Sequence, residues 1–202
     1  MPNKYRYIDP EYIYTDPETG VLRNLAGVTD HDRLAIIETG VTTKRANELH
    51  KNPLKINGAN ALLDIHHYLF QDIYSWAGKL RTVEISKDGK PFFPVKRFNK
   101  AFSFIDALIS EYRQIDRNDR PLLARKLAEI LDAVNYLHPF REGNGRTQRE
   151  LLRLLALEKG QTLHLNPPDN ADIYERYMSG TVNGDVEILT SLIAELISEN
   201  QK

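Results

Sequence analysis

Apolar residues recur every three or four positions along most of the chain, the period of helices with one buried face. From 29 or 30 to about 49, Leu34, Ile37, Val41 and Ala46 keep near that spacing, with Asp30 or Thr29 able to cap the first turn. A second helix is predicted over 58–77, where Leu62, Leu63, Ile65, Tyr68, Leu69 and Ile73 form the stripe. Others are predicted over 99–114 and 121–137; in the latter Leu123, Leu127, Leu131, Val134 and Leu137 mark a deeply packed helix. The next begins at 145 or 146 and ends at 158, with Gly160 as a left-handed C-terminal cap. After a break at Asn166-Pro167-Pro168, helices over 171–179 and 185–198 close the chain.

Two stretches lack this rhythm. The first thirty residues, punctuated by Pro10, Pro17, Gly20 and Gly27, read as an irregular strap with a turn at 16–20. Residues 80–95 read as a β-hairpin, two extended segments around Ser86-Lys87-Asp88-Gly89-Lys90. The expected fold is therefore mainly α: one domain over 1–202, with a strap over 1–30, a core over 58–160 and closing helices over 171–198. No internal repeat or flexible linker divides it.

Composition narrows the function classes. Lys and Arg total 27 against 28 Asp and Glu, so no bulk field attracts nucleic acid or an anionic membrane. The absence of cysteine removes disulfides, thiolate nucleophiles and Cys-based zinc sites, and suits a reducing compartment. The start, Met-Pro-Asn-Lys-Tyr-Arg-Tyr, lacks a signal-like apolar stretch, and no run approaches the roughly 18 apolar residues of a membrane span. A soluble, cytoplasmic-type chain is expected, without nucleic-acid or membrane partners. His66 and His67 are adjacent, about 100° apart on a helix; they suit core or surface positions better than one metal.

Chemistry concentrates in residues 138–149, His138-Pro139-Phe140-Arg141-Glu142-Gly143-Asn144-Gly145-Arg146-Thr147-Gln148-Arg149, between two strongly periodic helices. Gly143 and Gly145 permit a tight turn and close backbone approach to a ligand. The helix start behind them offers unpaired N–H groups and a positive dipole end, an anion site. Arg146 and Arg149, three apart, are expected to reach the same anion. Glu142 is a hard oxygen ligand suited to Mg²⁺. His138 is expected to titrate near neutrality, as a general base does. Each element alone has a plainer reading: a surface histidine, a turn, a solvated ion-pair cluster. Their concentration at one helix start favours a phosphate site. No Gly-Lys-Ser/Thr follows the glycines, so this is no Walker loop, and a third glycine and preceding strand are missing for a dinucleotide fingerprint.

The stretch resembles the signature of the Fic family, His-x-Phe-x-Asp/Glu-Gly-Asn-Gly-Arg-x-x-Arg, at every specified position. Residues 65–78, Ile-His-His-Tyr-Leu-Phe-Gln-Asp-Ile-Tyr-Ser-Trp-Ala-Gly, are similar to the family's upstream helix. The segment 14–20 is similar to that of short bacterial Fic toxins and secreted Fic effectors. The resemblance implies a protein adenylyltransferase moving AMP from ATP to a Ser, Thr or Tyr hydroxyl, with release of pyrophosphate. It implies His138 as base, Glu142 on Mg²⁺, backbone N–H groups of Gly143, Asn144 and Gly145 around the phosphates, and Arg146 and Arg149 on the β- and γ-oxygens. Arg141 joins the nucleotide site, and Phe140 anchors the loop in the core. Residues 84–94 resemble the family's flap, whose open strand edge pairs with a target; Ile85 and Phe92 are its docking residues, with Lys87 and Asp88 also near the nucleotide. Alternatives are a nucleotide-binding pseudoenzyme or transfer of another phosphate-containing group.

Control follows from the same resemblance. Many Fic proteins carry Ser/Thr-x-x-x-Glu-Gly/Asn, whose Glu pairs with the second motif arginine, here Arg149. The one such spacing in this chain, Ser191 with Glu195, is followed by Leu196 inside an amphipathic helix. Glu195 is therefore expected to be a solvated helix residue. The inhibitory glutamate is expected from a small, separate antitoxin, with the chain acting in a bacterial cytoplasm or, as an effector, in a host cell.

Overall fold

A computed structural model describes residues 5–7, 9–165 and 170–199. The extreme N-terminus and the Asn166-Pro167-Pro168 break lie outside the described residues. Seven helices pack together among these residues: α1 (His31–Lys51), α2 (Ala61–Phe70), α3 (Phe98–Gln114), α4 (Arg120–Leu137), α5 (Asn144–Glu158), α6 (Ala171–Asn183) and α7 (Val186–Leu196). None of them is long and apolar enough to cross a membrane.

The centre is α4. Asp119 caps it by accepting from Leu122 N at 3.1 Å, and Pro121 stands in its first turn, where no donor is lost. Leu123, Ala124, Leu127, Ala128, Ile130, Leu131, Val134 and Leu137 are all buried, too wide a set for one stripe. Accordingly α3, α5, α6 and α7 all pack against α4, while α2 lies against α5 and α1 against α2. Asp30 caps α1 as expected, through Arg33 N at 2.8 Å. The turn expected at 16–20 is also present: Asp16 Oδ1 accepts from Glu18 N and Thr19 N.

Two helical expectations need correction. α2 stops at Phe70 rather than 77. Beyond it the chain coils through turns that bury Ile73, Tyr74, Trp76 and Ala77. Gly78 ends that coil at φ +77°, with a Cβ there only 2.7 Å from His67 Cβ. At the far end α6 runs on to Asn183, and α7 ends at Leu196, where Ser198–Glu199 (β5) pairs antiparallel with Gln161–Thr162 (β4).

The hairpin is present: β2 (Ile85–Lys87) and β3 (Lys90–Pro91) flank Asp88 and Gly89, both at positive φ, the signature of a two-residue turn. The strap is not wholly irregular. Tyr5–Tyr7 forms β1, antiparallel to β2 in the register Tyr5↔Lys87, Arg6↔Ser86 and Tyr7↔Ile85. The sheet order β1-β2-β3 therefore pairs β2 on both sides, and within the hairpin expected to offer an open strand edge it is the outer side of β3 that has no partner strand among the described residues.

Candidate functional site

α4 ends at Leu137, and its C-terminal cap, His138, lies in the left-handed region at φ 44°, ψ 61°. A non-glycine residue there carries about 1–2 kcal/mol of local strain, and the following Pro139 bars helix continuation. The geometry is held from outside: Arg81 Nε donates to the His138 carbonyl at 2.8 Å, and Arg81 N donates to Pro139 O at 2.8 Å. His138 Nδ1 lies 3.3 Å from the Asn135 carbonyl. A carbonyl only accepts, so Nδ1 carries the hydrogen and Nε2 is the basic nitrogen.

The ring is nearly buried, and Phe92 from the hairpin lies flat on it, with centroids 3.8 Å apart and planes inclined 17°. Burial, with smaller contributions from the Arg81 and Lys87 charges, pushes its pKa down to about 3. This corrects the expectation of titration near neutrality. The imidazole is neutral at any ordinary pH, hence a proton acceptor without prior deprotonation.

The other end of the loop is a helix start, whose N–H groups can receive an anion. Gly143 caps α5 at φ 82°, and a Cβ there would lie 2.3 Å from Phe70 Cζ, so only glycine fits. Asn144 folds back on the loop, accepting from Phe140 N at 2.9 Å and donating to Phe140 O at 2.8 Å. Phe140 is fully buried, as expected, and stacks on His66 with centroids 3.8 Å apart. Gly78 N donates to His66 Nδ1 at 2.8 Å, so Nε2 bears the hydrogen and donates to the Glu142 carbonyl at 3.0 Å. Burial drives the His66 pKa down to about 3, keeping that tautomer neutral. His66 is thus a core residue that also braces the loop beside Glu142. Gly143 N–H is already given to Glu142 Oε1 at 2.9 Å, leaving the first-turn N–H groups of Asn144, Gly145 and Arg146 as the anion-facing end of α5. Arg141, by contrast, is buried within the loop.

The two arginines part company. Arg146 Nη2 pairs with Glu38 of α1, Nη1 meets Thr42 Oγ1 at 3.3 Å, Glu142 Oε1 is 3.7 Å away, and the guanidinium covers the Phe70 ring at 4.8 Å. Glu38 also accepts from the Tyr74 hydroxyl, whose pKa is driven up by burial and by that carboxylate. Arg149 instead turns toward α6, 5.7 Å from the Tyr177 ring, and has no ion pair among the described residues. Helical spacing put the two arginines on one face; the carboxylate of α1 draws one of them aside. Glu38 carries no local motif that singles it out.

The hairpin borders a groove of about 870 Å³ lined by Lys87, Asp88, Phe92, Phe104, Tyr136 and His138. Lys87, Asp88 and Phe92 thus share this groove with the histidine. Ile85 is not a docking side chain, since it is 2% exposed and packs into the core. Glu195 bonds to Arg176 at 2.7 Å, on the exposed surface, as expected of a solvated helix residue.

Residues 55–156 match the profile of the Fic/DOC family. The protein adenylyltransferase VbhT of Bartonella schoenbuchensis is 32% identical over 189 residues, 92% of this chain but 39% of VbhT, so the chain spans about two fifths of that relative. A Salmonella typhimurium protein named "Probable protein adenylyltransferase Fic" is 31% identical over 199 residues, 98% of each chain. Among solved structures, BepC, a VirB-translocated effector of Bartonella tribocorum crystallised with bound AMPPNP, aligns with a TM-score of 0.84. It is 22% identical, covering 95% of this chain and 98% of that one.

Proposed function

The chain belongs to the Fic/DOC family, and on that footing we propose that it is a protein adenylyltransferase moving AMP from ATP to a target protein. The observation that carries this reading is the single loop holding both a basic imidazole nitrogen and, six residues on, a glycine-capped helix start facing an anion. The relatives named protein adenylyltransferases and the AMPPNP complex of a similar fold support it.

The acceptor is a Ser, Thr or Tyr hydroxyl. His138 Nε2 takes its proton as the hydroxyl oxygen bonds to the α-phosphorus; the bond from that phosphorus to the β-phosphate bridging oxygen breaks, and pyrophosphate leaves with the electron pair. The first-turn N–H groups of α5 receive phosphate oxygens, and Arg149 meets the terminal phosphates. Arg146, held by Glu38, adds positive charge beside Glu142. The carboxylate of Glu142 is partly exposed, and no cluster of three or more metal-ligating side chains exists among the described residues. One hard carboxylate fits Mg²⁺, which binds through one or two carboxylates plus substrate phosphates rather than an all-protein cage. Bound there, Mg²⁺ would supply charge neutralisation to the phosphates.

The target approaches along the groove by Lys87, Asp88 and Phe92. β1 and β3 flank β2, so a target strand joins this sheet at the outer side of β3 or by displacing β1. Arg149, without a carboxylate partner among the described residues, suits inhibition by a glutamate from a separate antitoxin. The enzyme works as one domain, as a bacterial toxin in the cytoplasm or as an effector delivered to a host cell. Incubation with bacterial and host lysates and ATP, followed by mass spectrometry, is expected to find AMP esters on hydroxyl side chains. Phosphate esters alone, or no adduct in either lysate, would refute the reading.

A further inference from the structure

A guanidinium group buried in the protein interior is costly unless its donors are matched, and a buried charge is weak support for stability alone. Arg81 has no exposed side-chain surface, and burial pulls its pKa down. Its donors reach three separate segments. Nε serves His138 O at 2.8 Å, with Leu137 O at 3.5 Å from Nη2. Nη1 serves Val83 O at 2.7 Å and Glu84 Oε2 at 3.3 Å, on the leg that leads into β2. Nη2 serves Phe93 O at 2.7 Å, on the leg that leaves β3. The plane is backed by the Phe98 ring 4.9 Å away, and Glu84 reaches on to Val95 N at 3.1 Å. One planar group therefore ties both legs of the hairpin to the carbonyl of the left-handed histidine.

We propose that Arg81 is a positioning residue that fixes the hairpin and His138 in one frame, so that a hydroxyl delivered past the hairpin arrives at the base. This rests on the adenylyltransferase reading. The phosphate end of the loop has its own braces, the Asn144–Phe140 pair and the His66–Glu142 bond. Loss of Arg81 therefore separates delivery of the hydroxyl from binding of the nucleotide. Lysine cannot replace it: a point ammonium has three donors and lacks the fork that spans three segments.

The test is Arg81→Lys, which retains the charge. Three readouts apply: ATP affinity by calorimetry, AMP transfer to lysate proteins from α-labelled ATP, and the NMR titration of His138 in histidine-labelled protein without substrate. The expected outcome is ATP affinity within about twofold, transfer reduced by about a hundredfold, the scale of a misplaced reacting group, and a His138 titration moved up toward 6.5 as the hairpin unseals the ring. A folded variant with a lower melting temperature but unchanged transfer and unchanged His138 titration would overturn the proposal. Equal losses of ATP affinity and transfer would overturn it too. Should the lysine variant not fold, Arg81→Met, of similar volume and without charge, carries the same three readouts. If the wild type itself transfers no AMP, the adenylyltransferase reading fails; the titration then decides on Arg81, an upward shift supporting the coupling and an unmoved midpoint refuting it.

Discussion

The two ends of the loop between α4 and α5 are built on opposite plans. The phosphate end is local: Gly143, Asn144 and the first turn of α5 make an anion-facing cradle from contiguous residues. The base end is assembled from afar. His138 is held in a left-handed conformation by Arg81, 57 residues earlier, and covered by Phe92 of the hairpin. Anion binding needs mainly backbone donors and a dipole, which any well-capped helix start offers. Proton transfer needs one nitrogen at one position, so it recruits constraints from several elements.

If the two ends are separable, their failures should be as well. The largest effect is expected from His138→Ala: transfer falls by about 10²–10⁴-fold while calorimetric ATP affinity stays near the wild type, since no phosphate contact is lost. A parallel loss of affinity would show that the ends are one unit.

The arginines sharpen the same contrast. Arg146→Ala strips the partly buried Glu38 and is expected to destabilise the fold by about 2 kcal/mol, read from urea unfolding. Arg149→Ala is expected to change stability by less than about 0.5 kcal/mol and to weaken ATP severalfold. The reverse pattern would exchange their roles.

Acid probes both ends together. His138 and His66 are held near 3 when folded and return to about 6.5 when unfolded. The unfolded chain then binds the extra protons, so stability is complete above pH 6.5 and declines as pH falls from 6.5 toward 3. The slope reaches up to about 1.4 kcal/mol per pH unit for each ring. Urea midpoints at pH 7 and pH 5 measure it, and equal midpoints would mean that neither ring is sealed.

A smaller effect is expected from deleting residues 1–8. This removes β1 from the β2 edge and should lower the apparent KM for a protein target severalfold with ATP affinity unchanged. An unchanged KM would place docking on the groove side of the hairpin alone.

This contrast also explains what the sequence conveys. The helices over 99–114 and 121–137 follow from apolar periodicity alone, and α5 with its glycine-rich start follows from contiguous signals. Glu38, Arg81 and the loop-bracing role of His66 do not, because each acts through a partner more than 50 residues away. β1 is hidden for the same reason, since strand pairing depends on the edge that receives it. The low pKa of His138 depends on Phe92 covering the ring, a contact without local pattern.

On the proposed reading the loop transfers the α-phosphoryl group with its adenosine, using His138. The direct measurement supplies ATP labelled at the α- or the γ-phosphorus to the wild type and to His138→Ala with the same lysate. Covalent protein label is expected from the α-position only, and almost none with the variant. Label from the γ-position, or equal α-label with and without His138, would contradict it.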